Sequence, residues 1–181
     1  MKRHQDILVV DGYNVIYKSP RYASLIDEGA SKGISLDPYI RARELLIGDV
    51  AAYAQGKYDP YIVFDAAKNL SPDRPNYRIA GVRVIFSRKG ESADTVIERL
   101  VTQARHHEVR CLLVTSDNTI RSTVGTGGVS KLGADTFISN VKAQDKETSE
   151  EAVERSYAKM TLADTLNPET RAALNKLLGR G

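Results

Sequence analysis

The 181-residue chain has little of what most hydrolytic chemistry uses. Its one cysteine, Cys111, rules out an intrachain disulfide and a cysteine-based zinc site. Cys111 opens the apolar run CLLV, which marks it as a buried core thiol rather than a nucleophile. The three histidines, His4, His106 and His107, lack the spacing of a histidine metal site. A Ser/His/Asp or Cys/His hydrolase is therefore poorly supported. No apolar stretch is long enough to span a bilayer, and MKRHQD leads into a strand-like run without a signal or transit peptide. The expectation is a cytoplasmic protein with no membrane association. The formal charge of +3 permits a nucleic-acid partner without demonstrating one.

What is present is an alternation of short apolar runs and helical patterns. ILVV (7–10), YIVF (61–64), VRVIF (82–86) and CLLVT (111–115) are apolar throughout, as strands buried on both faces are. Between them lie amphipathic segments. Asp37-Pro38 signals a helix start, followed by the stripe Ala42, Leu46, Val50 and Tyr53. Ser92 can cap a helix that turns Ala93, Ile97, Leu100 and Ala104 inward, and Asp117 can cap a short one. Residues 133–144 form another, with Phe137, Ile138 and Val141 on its buried side. This order predicts an α/β fold with a central, mainly parallel sheet of four to five strands and helices on both faces. Segments 18–36 and 66–80 read as long surface loops. Beyond about residue 145 the chain is charged and helical, with Ala152, Val153, Tyr157 and Met160 as a docking stripe and a last helix opening at Asn167. Residues 1–145 form one domain on this reading, and 146–181 a helical extension packed on it or trailing from it.

Three expected strands end at an aspartate, Asp11, Asp65 and Asp117, and Asp94 lies in the first turn of the helix after another. Carboxyl ends of parallel strands emerge along one edge, where ligands bind. Four acids distant in sequence should therefore meet there. Taken singly, each has a plain alternative: a turn former, a strand end, a helix-dipole partner or an N-cap. Packed together, they repel unless a cation relieves them. Oxygen-only ligation suits Mg2+ or Mn2+, and such a centre suits phosphodiester hydrolysis by an activated water. Asn14 can orient a carboxylate or simply cap a helix. Thr115 and Ser116 are donors behind the acids, or turn formers. Lys68, Arg74, Arg78, Arg88 and Lys89 fall on or beside the loops at that edge and can contact phosphates. Tyr13 and Tyr77 can stack on bases, or pack in the core. Gly125, Gly127 and Gly128 lack a following Lys-Ser/Thr, so an NTP-binding loop is rejected.

At ILVVDGYNVI, YIVFDA, ESADTVIE and VTSDN the chain resembles the YacP-like group of the NYN domain family, nucleases related to PIN domains. The ordered motifs cover roughly residues 6–145. The resemblance implies a three-layer α/β/α PIN-like fold and divalent-metal-dependent endoribonuclease activity. Asp11, Asp65, Asp94 and Asp117 map onto the acidic residues, with Asn14 in support. It also implies mRNA as substrate, cleaved at the ribosome. Thr95-Val96 stands where a more charged pair is expected, and the tail beyond 145 matches nothing usable. A non-catalytic RNA- or ribosome-binding module that keeps the fold is the competing expectation. An aspartyl-phosphate phosphatase is weak, because Tyr13 stands where that chemistry needs a second acid.

Overall fold

In the computed structural model the described residues are 5–32, 37, 39–65, 75–125 and 127–165, excepting the side chains of 28–32, 123 and 152–165. The chain divides into two compact units, Met1–Val141 and Lys142–Gly181.

The first unit holds β1 (Asp6–Asp11), α1 (Gly12–Lys18), α2 (Pro20–Lys32), α3 (Ile40–Ala54), β2 (Tyr58–Phe64), β3 (Tyr77–Ile79), β4 (Val82–Phe86), α4 (Ala93–His106), β5 (Cys111–Val114), α5 (Asn118–Thr123), β6 (Val129–Leu132) and the start of α6 (Ala134–Thr165). The strands form one sheet in the order β3-β4-β2-β1-β5-β6. All neighbours pair in parallel except β3 with β4. Central β1 buries Leu8, Val9 and Val10 completely, as a strand covered on both faces must. Strand alternation then splits the core. Leu8 and Val10 join Val15, Ile16, Tyr22, Leu46 and Phe137 from α1, α2, α3 and α6. Val9, Val63 and Leu113 join Val96, Ile97, Val101 and Ile120 from α4 and α5. The result is the expected three-layer α/β/α sandwich.

Two expectations need correction. The sheet has six strands rather than four to five, because β3 and β6 were not anticipated. All three residues of β3 are exposed, so it carries no apolar signature. It is held as a hairpin arm on β4 by Ala80-Gly81, whose φ values of 49° and 82° suit a two-residue turn of the kind that joins twisted strands. The segment 18–36 is not a loop for most of its length, since α2 occupies Pro20–Lys32. Pro20 needs no amide partner at the first helical position, and the Ser19 hydroxyl accepts a hydrogen bond from the Arg21 amide at 3.2 Å. Tyr22 anchors the helix: it is fully buried, and its hydroxyl donates to Asp49 at 2.7 Å. Asp49 also receives Arg21 through two contacts of 2.9 Å.

The anticipated stripes on α3 and α4 hold: Ala42, Leu46, Val50, Ala93, Ile97 and Ala104 are buried. Cys111 is buried too, and burial pushes its thiol up to about 12, so it stays protonated. Among the described residues, no helix is long and apolar enough to cross a membrane. The side chains proposed as a docking stripe on the tail, and the helix expected at Asn167, lie outside the described residues.

Candidate active site

Each of the four aspartates occupies its place for a local backbone reason. Asp11 ends β1 in an extended conformation and caps α1, accepting from the Asn14 amide at 3.3 Å. Gly12 must follow it: a Cβ there would collide with the Phe64 ring at the end of β2. Asp65 directly follows β2 and accepts from the Ala93 amide at 3.3 Å, tying the β2 end to the start of α4. Ser92 caps α4 by accepting from the Thr95 amide at 3.2 Å, which sets Asp94 in the first turn. Asp117 follows β5 and caps α5, accepting from the Thr119 amide at 2.7 Å. The plain cap roles are thus real for Asp11 and Asp117, but they also aim these acids at one edge.

The edge is the carboxyl end of β4, β2, β1 and β5. Chain order places β2 and β4 on one side of β1, and β5 and β6 on the other. Strand order thus reverses at β1, the place where open α/β sheets bind their ligands. Thr115, fully buried, bridges the ends of β1 and β5 there. Its hydroxyl donates to Asp11 Oδ2 at 3.2 Å and its oxygen accepts from the Asp117 amide at 3.1 Å. Asn14 locks the same edge from α1, with Oδ1 accepting from the Ser116 amide at 2.8 Å. The helix cap is Asp11, not Asn14, so Asn14 acts as a cross-brace between α1 and the β5–α5 turn. Ser116 in turn accepts from the Ala134 amide at 3.0 Å, pinning the start of α6. These buried bonds fix carboxylate positions that a water-exposed loop would leave loose.

Electrostatics report the convergence of the acids. Asp11 is 8% exposed, and its carboxyl is raised to about 6. Burial is the main cause; the charges of Asp94 and Asp117 add to it, while the Asn14 amide and Thr115 hydroxyl oppose it. Asp94 is also raised, by desolvation first and then by Asp117, Asp65 and Glu98. Every one of the four is therefore within electrostatic reach of another. Glu98 is an acid that sequence reasoning did not single out. It sits four residues after Asp94, one turn along the same face of α4, and that like-charge spacing was the available signal.

Donor chemistry fits a hard divalent cation: only oxygen ligands, excess negative charge, and two carboxyls, Asp11 and Asp94, raised by burial first and by neighbouring acids second. Among the described residues, no three acids are grouped closely enough to chelate an ion as they stand. Full ligation at this edge calls for side-chain rotation around positions that the backbone already brings together.

The basic and aromatic candidates separate. Arg88 and Lys89 are exposed in the connection from β4 to α4, on the acidic edge, where the Arg88 amide donates to Glu91. Tyr77 is 39% exposed at the start of β3, which runs antiparallel and so also begins at that edge. Arg78 is directed to the far edge, 3.7 Å from Asp59 at the start of β2. Tyr13 is 3% exposed, packed edge-on against Phe64 and Tyr39, with its hydroxyl accepting from Arg43 at 3.0 Å. It is a core residue and offers no face to a base. The loose glycine cluster is a turn into β6: Gly125 and Gly128 have φ of 65° and 70°, and Gly127 accepts from Arg105 Nε at 3.0 Å. Lys68 and Arg74 lie outside the described residues.

The chain is similar to known proteins. The sequence profile of the YacP-like NYN domain matches residues 8–179. A curated relative, the uncharacterized protein YacP of Bacillus subtilis (strain 168), is 31% identical over 159 residues, spanning 86% of this chain and 84% of the relative. The crystal structure of Rae1 (YacP) from Bacillus subtilis superposes with a TM-score of 0.69 at 24% identity, covering 96% of this chain and 94% of that one. A point mutant of the same protein gives 0.65 at 25% identity, covering 96% and 99%. By its ordered acidic motifs, its sheet and these likenesses, the chain belongs to the YacP-like NYN domain family of PIN-like nucleases.

Proposed function

We propose that this protein is an endoribonuclease that cleaves single-stranded RNA with Mg2+ or Mn2+ held at the carboxyl edge of the sheet. The observation that carries the proposal is the placement of Asp11, Asp65, Asp94 and Asp117 at the carboxyl end of the parallel sheet by four separate chain segments, close enough for their charges to act on Asp11 and Asp94. Asp11, Asp94 and Asp117 are the assigned ligands, with Asp65 completing or tuning the set. When bound, the cation supplies Lewis acidity toward a phosphoryl oxygen and lowers the pKa of an attacking water.

The protein's own residues do the rest. Thr115 ties the Asp11 carboxylate to the Asp117 backbone, holding the ends of β1 and β5 in one register. Asn14 keeps α1 seated against the β5–α5 turn while substrate enters. Arg88 and Lys89, at the rim, attract the phosphate backbone without reading sequence. No histidine or cysteine side chain is assigned to the edge, so proton transfer falls to water and the carboxylates. Asp11, held near 6 without a cation, binds one with loss of a proton, which makes binding favourable toward neutral pH and above. Family likeness favours mRNA as substrate and the ribosome as the place of cleavage.

The test is purified wild-type and Asp11→Asn protein incubated with labelled single-stranded RNA and with mRNA on translating ribosomes, in Mg2+ or EDTA. Metal-dependent products from wild type alone support the enzyme. RNA retention without products in any metal supports the non-catalytic binding module instead.

A further inference from the structure

Burial of Tyr13 removes it as a base-stacking residue but leaves a question about what it supports. Its ring lies 5.1 Å from Phe64, the residue before Asp65. On its other sides it meets Tyr39 at 5.4 Å and Tyr17 at 6.2 Å. Tyr17 and Tyr39 are nearly perpendicular, 83° apart with centroids at 6.3 Å, and the Tyr17 hydroxyl donates to the Tyr39 oxygen at 2.8 Å. Tyr17 is 46% exposed, and Ile40, beside Tyr39, is 38% exposed.

We infer that Tyr17 and Tyr39 form a stacking corner for one base of single-stranded RNA, next to the catalytic edge. This rests on the ribonuclease reading above. Two perpendicular rings present a face and an edge together, which suits a flat heterocycle better than a lone ring does. The corner is rigid before RNA arrives: Tyr13 packs against both rings and is itself held by Arg43 at 3.0 Å. Preformed rings lose little freedom on binding. Position agrees. Tyr17 lies six residues along α1 from Asp11, roughly 9 Å of helix rise, so a strand crossing the acids reaches it with a neighbouring nucleotide. Exposed Lys18 and Arg41 flank the two tyrosines in sequence and suit the phosphates of that nucleotide. Stacking accepts any base, so the corner sets position along the strand rather than sequence.

The chain contains no tryptophan, so Tyr17→Trp installs a single fluorescent reporter in the corner. The protein is titrated in EDTA, where binding is read without cleavage, using a single-stranded RNA oligonucleotide and, separately, inorganic polyphosphate. RNA binding is followed in parallel by anisotropy of an end-labelled strand. The expected result is quenching by RNA but not by polyphosphate, lost on adding Tyr39→Ala, and absent from Ile79→Trp on the opposite edge strand. Tyr17→Ala should raise KM for RNA about 5- to 150-fold with kcat little changed, and Tyr17→Phe should restore most of it. RNA that binds by anisotropy without quenching, or an equal response to polyphosphate, overturns the stacking corner and leaves the nuclease reading intact. Absence of RNA binding by either readout overturns the stacking corner, while the nuclease reading is decided separately by metal-dependent cleavage.

Discussion

The two edges of the sheet use the same residue type to opposite effect. Strand β1 begins with Asp6 and ends with Asp11; β2 carries Asp59 near its start and is followed by Asp65. At the starting edge each acid meets arginine: Asp6 with Arg110 at 2.7 Å, and Asp59 with Arg83 at 3.0 Å and Arg78 at 3.7 Å. Such exposed pairs stabilise by only about 0–1 kcal/mol each. A cleft of about 490 Å³ opens at that edge beside Gln5, Asp59, Arg78, Arg83 and His107, and its carboxylate, Asp59, is already paired with both arginines. At the finishing edge the acids meet backbone amides, a buried hydroxyl and one another; burial first, and neighbouring acids second, raise Asp11 and Asp94, while the amide and hydroxyl bonds oppose the rise at Asp11. Charge mismatch, rather than cavity size, separates the candidate active edge from the structural one.

The largest test of that contrast is paired substitution at the two ends of β1. Asp11→Asn should lower RNA cleavage to the level of an EDTA control, whereas Asp6→Asn should leave the rate unchanged; gel assays on labelled RNA decide it. Equal rates for Asp11→Asn and wild type would remove Asp11 from the site.

Stability should move the other way. The folded-state carboxyl of Asp11 is raised from 3.8 to about 6, so ionisation opposes folding. Its cost is absent below pH 4, grows as pH rises through about 6, and is fully present above that. Asp11→Asn should therefore melt at higher temperature than wild type at pH 7.5 without metal, by up to roughly 3 kcal/mol, with the gap closing at pH 4. Millimolar Mg2+ should narrow it by stabilising wild type alone. A pH-independent gap would show that burial and neighbouring charge do not control this carboxyl. The degree of burial behind this effect is not written in any local sequence pattern.

A smaller effect contrasts a buried with an exposed ion pair. Arg43 and Asp37 pair with side chains only 3% and 11% exposed, and Arg43 also holds Tyr13. Asp37→Ala should cost about 3–5 kcal/mol by leaving a buried guanidinium unmatched. Asp6→Ala, which releases an Arg110 side chain that is 82% exposed, should cost less than about 1 kcal/mol. Urea denaturation of both variants checks the pair. The buried partnership was not foreseen, because six residues separate Asp37 from Arg43 and the Asp-Pro pair announces a helix start. The helix starts later than that signal implies: Tyr39 is the cap of α3 and makes no side-chain capping bond, and Asp37 accepts from the Tyr39 amide at 3.0 Å ahead of it.

Gly12→Ala probes the packing behind the acids. The added methyl meets the Phe64 ring and Ile62, so a loss of about 1–3 kcal/mol is expected, partly recovered by Phe64→Leu. Differential scanning calorimetry of the single and double variants reads both effects. What could be read in advance and what could not differ here by physical type. Strands ending in aspartate were legible because apolar runs and turn residues are local. So were the caps at Ser92 and Asp117. Helix α2 was missed although Ser19-Pro20 carries a start signal like that of Asp37-Pro38; its glycine, lysine and serine content masked the anchors Tyr22, Leu25 and Ile26. Side-chain direction was illegible: Arg78 and Tyr13 sit close in sequence to edge residues, yet pleat and helix facing send one to the far edge and the other into the core.

The smallest effect belongs to the starting edge, where the β3–β4 hairpin turns at Ala80-Gly81. Ala80 adopts φ of 49°, a left-handed conformation that its methyl group disfavours. Glycine at that position relieves the clash but adds freedom to the unfolded chain, so the two terms partly cancel. Ala80→Gly should raise stability by about 1 kcal/mol or less, and Ala80→Asn, which tolerates the same φ with less unfolded-state entropy, by at least as much. Neither should alter the rate of RNA cleavage, since the turn lies a full strand length from the acids. A change in kcat without a change in melting temperature would mean the edges are coupled through β4, and that the division between a structural edge and a chemical edge is too sharp.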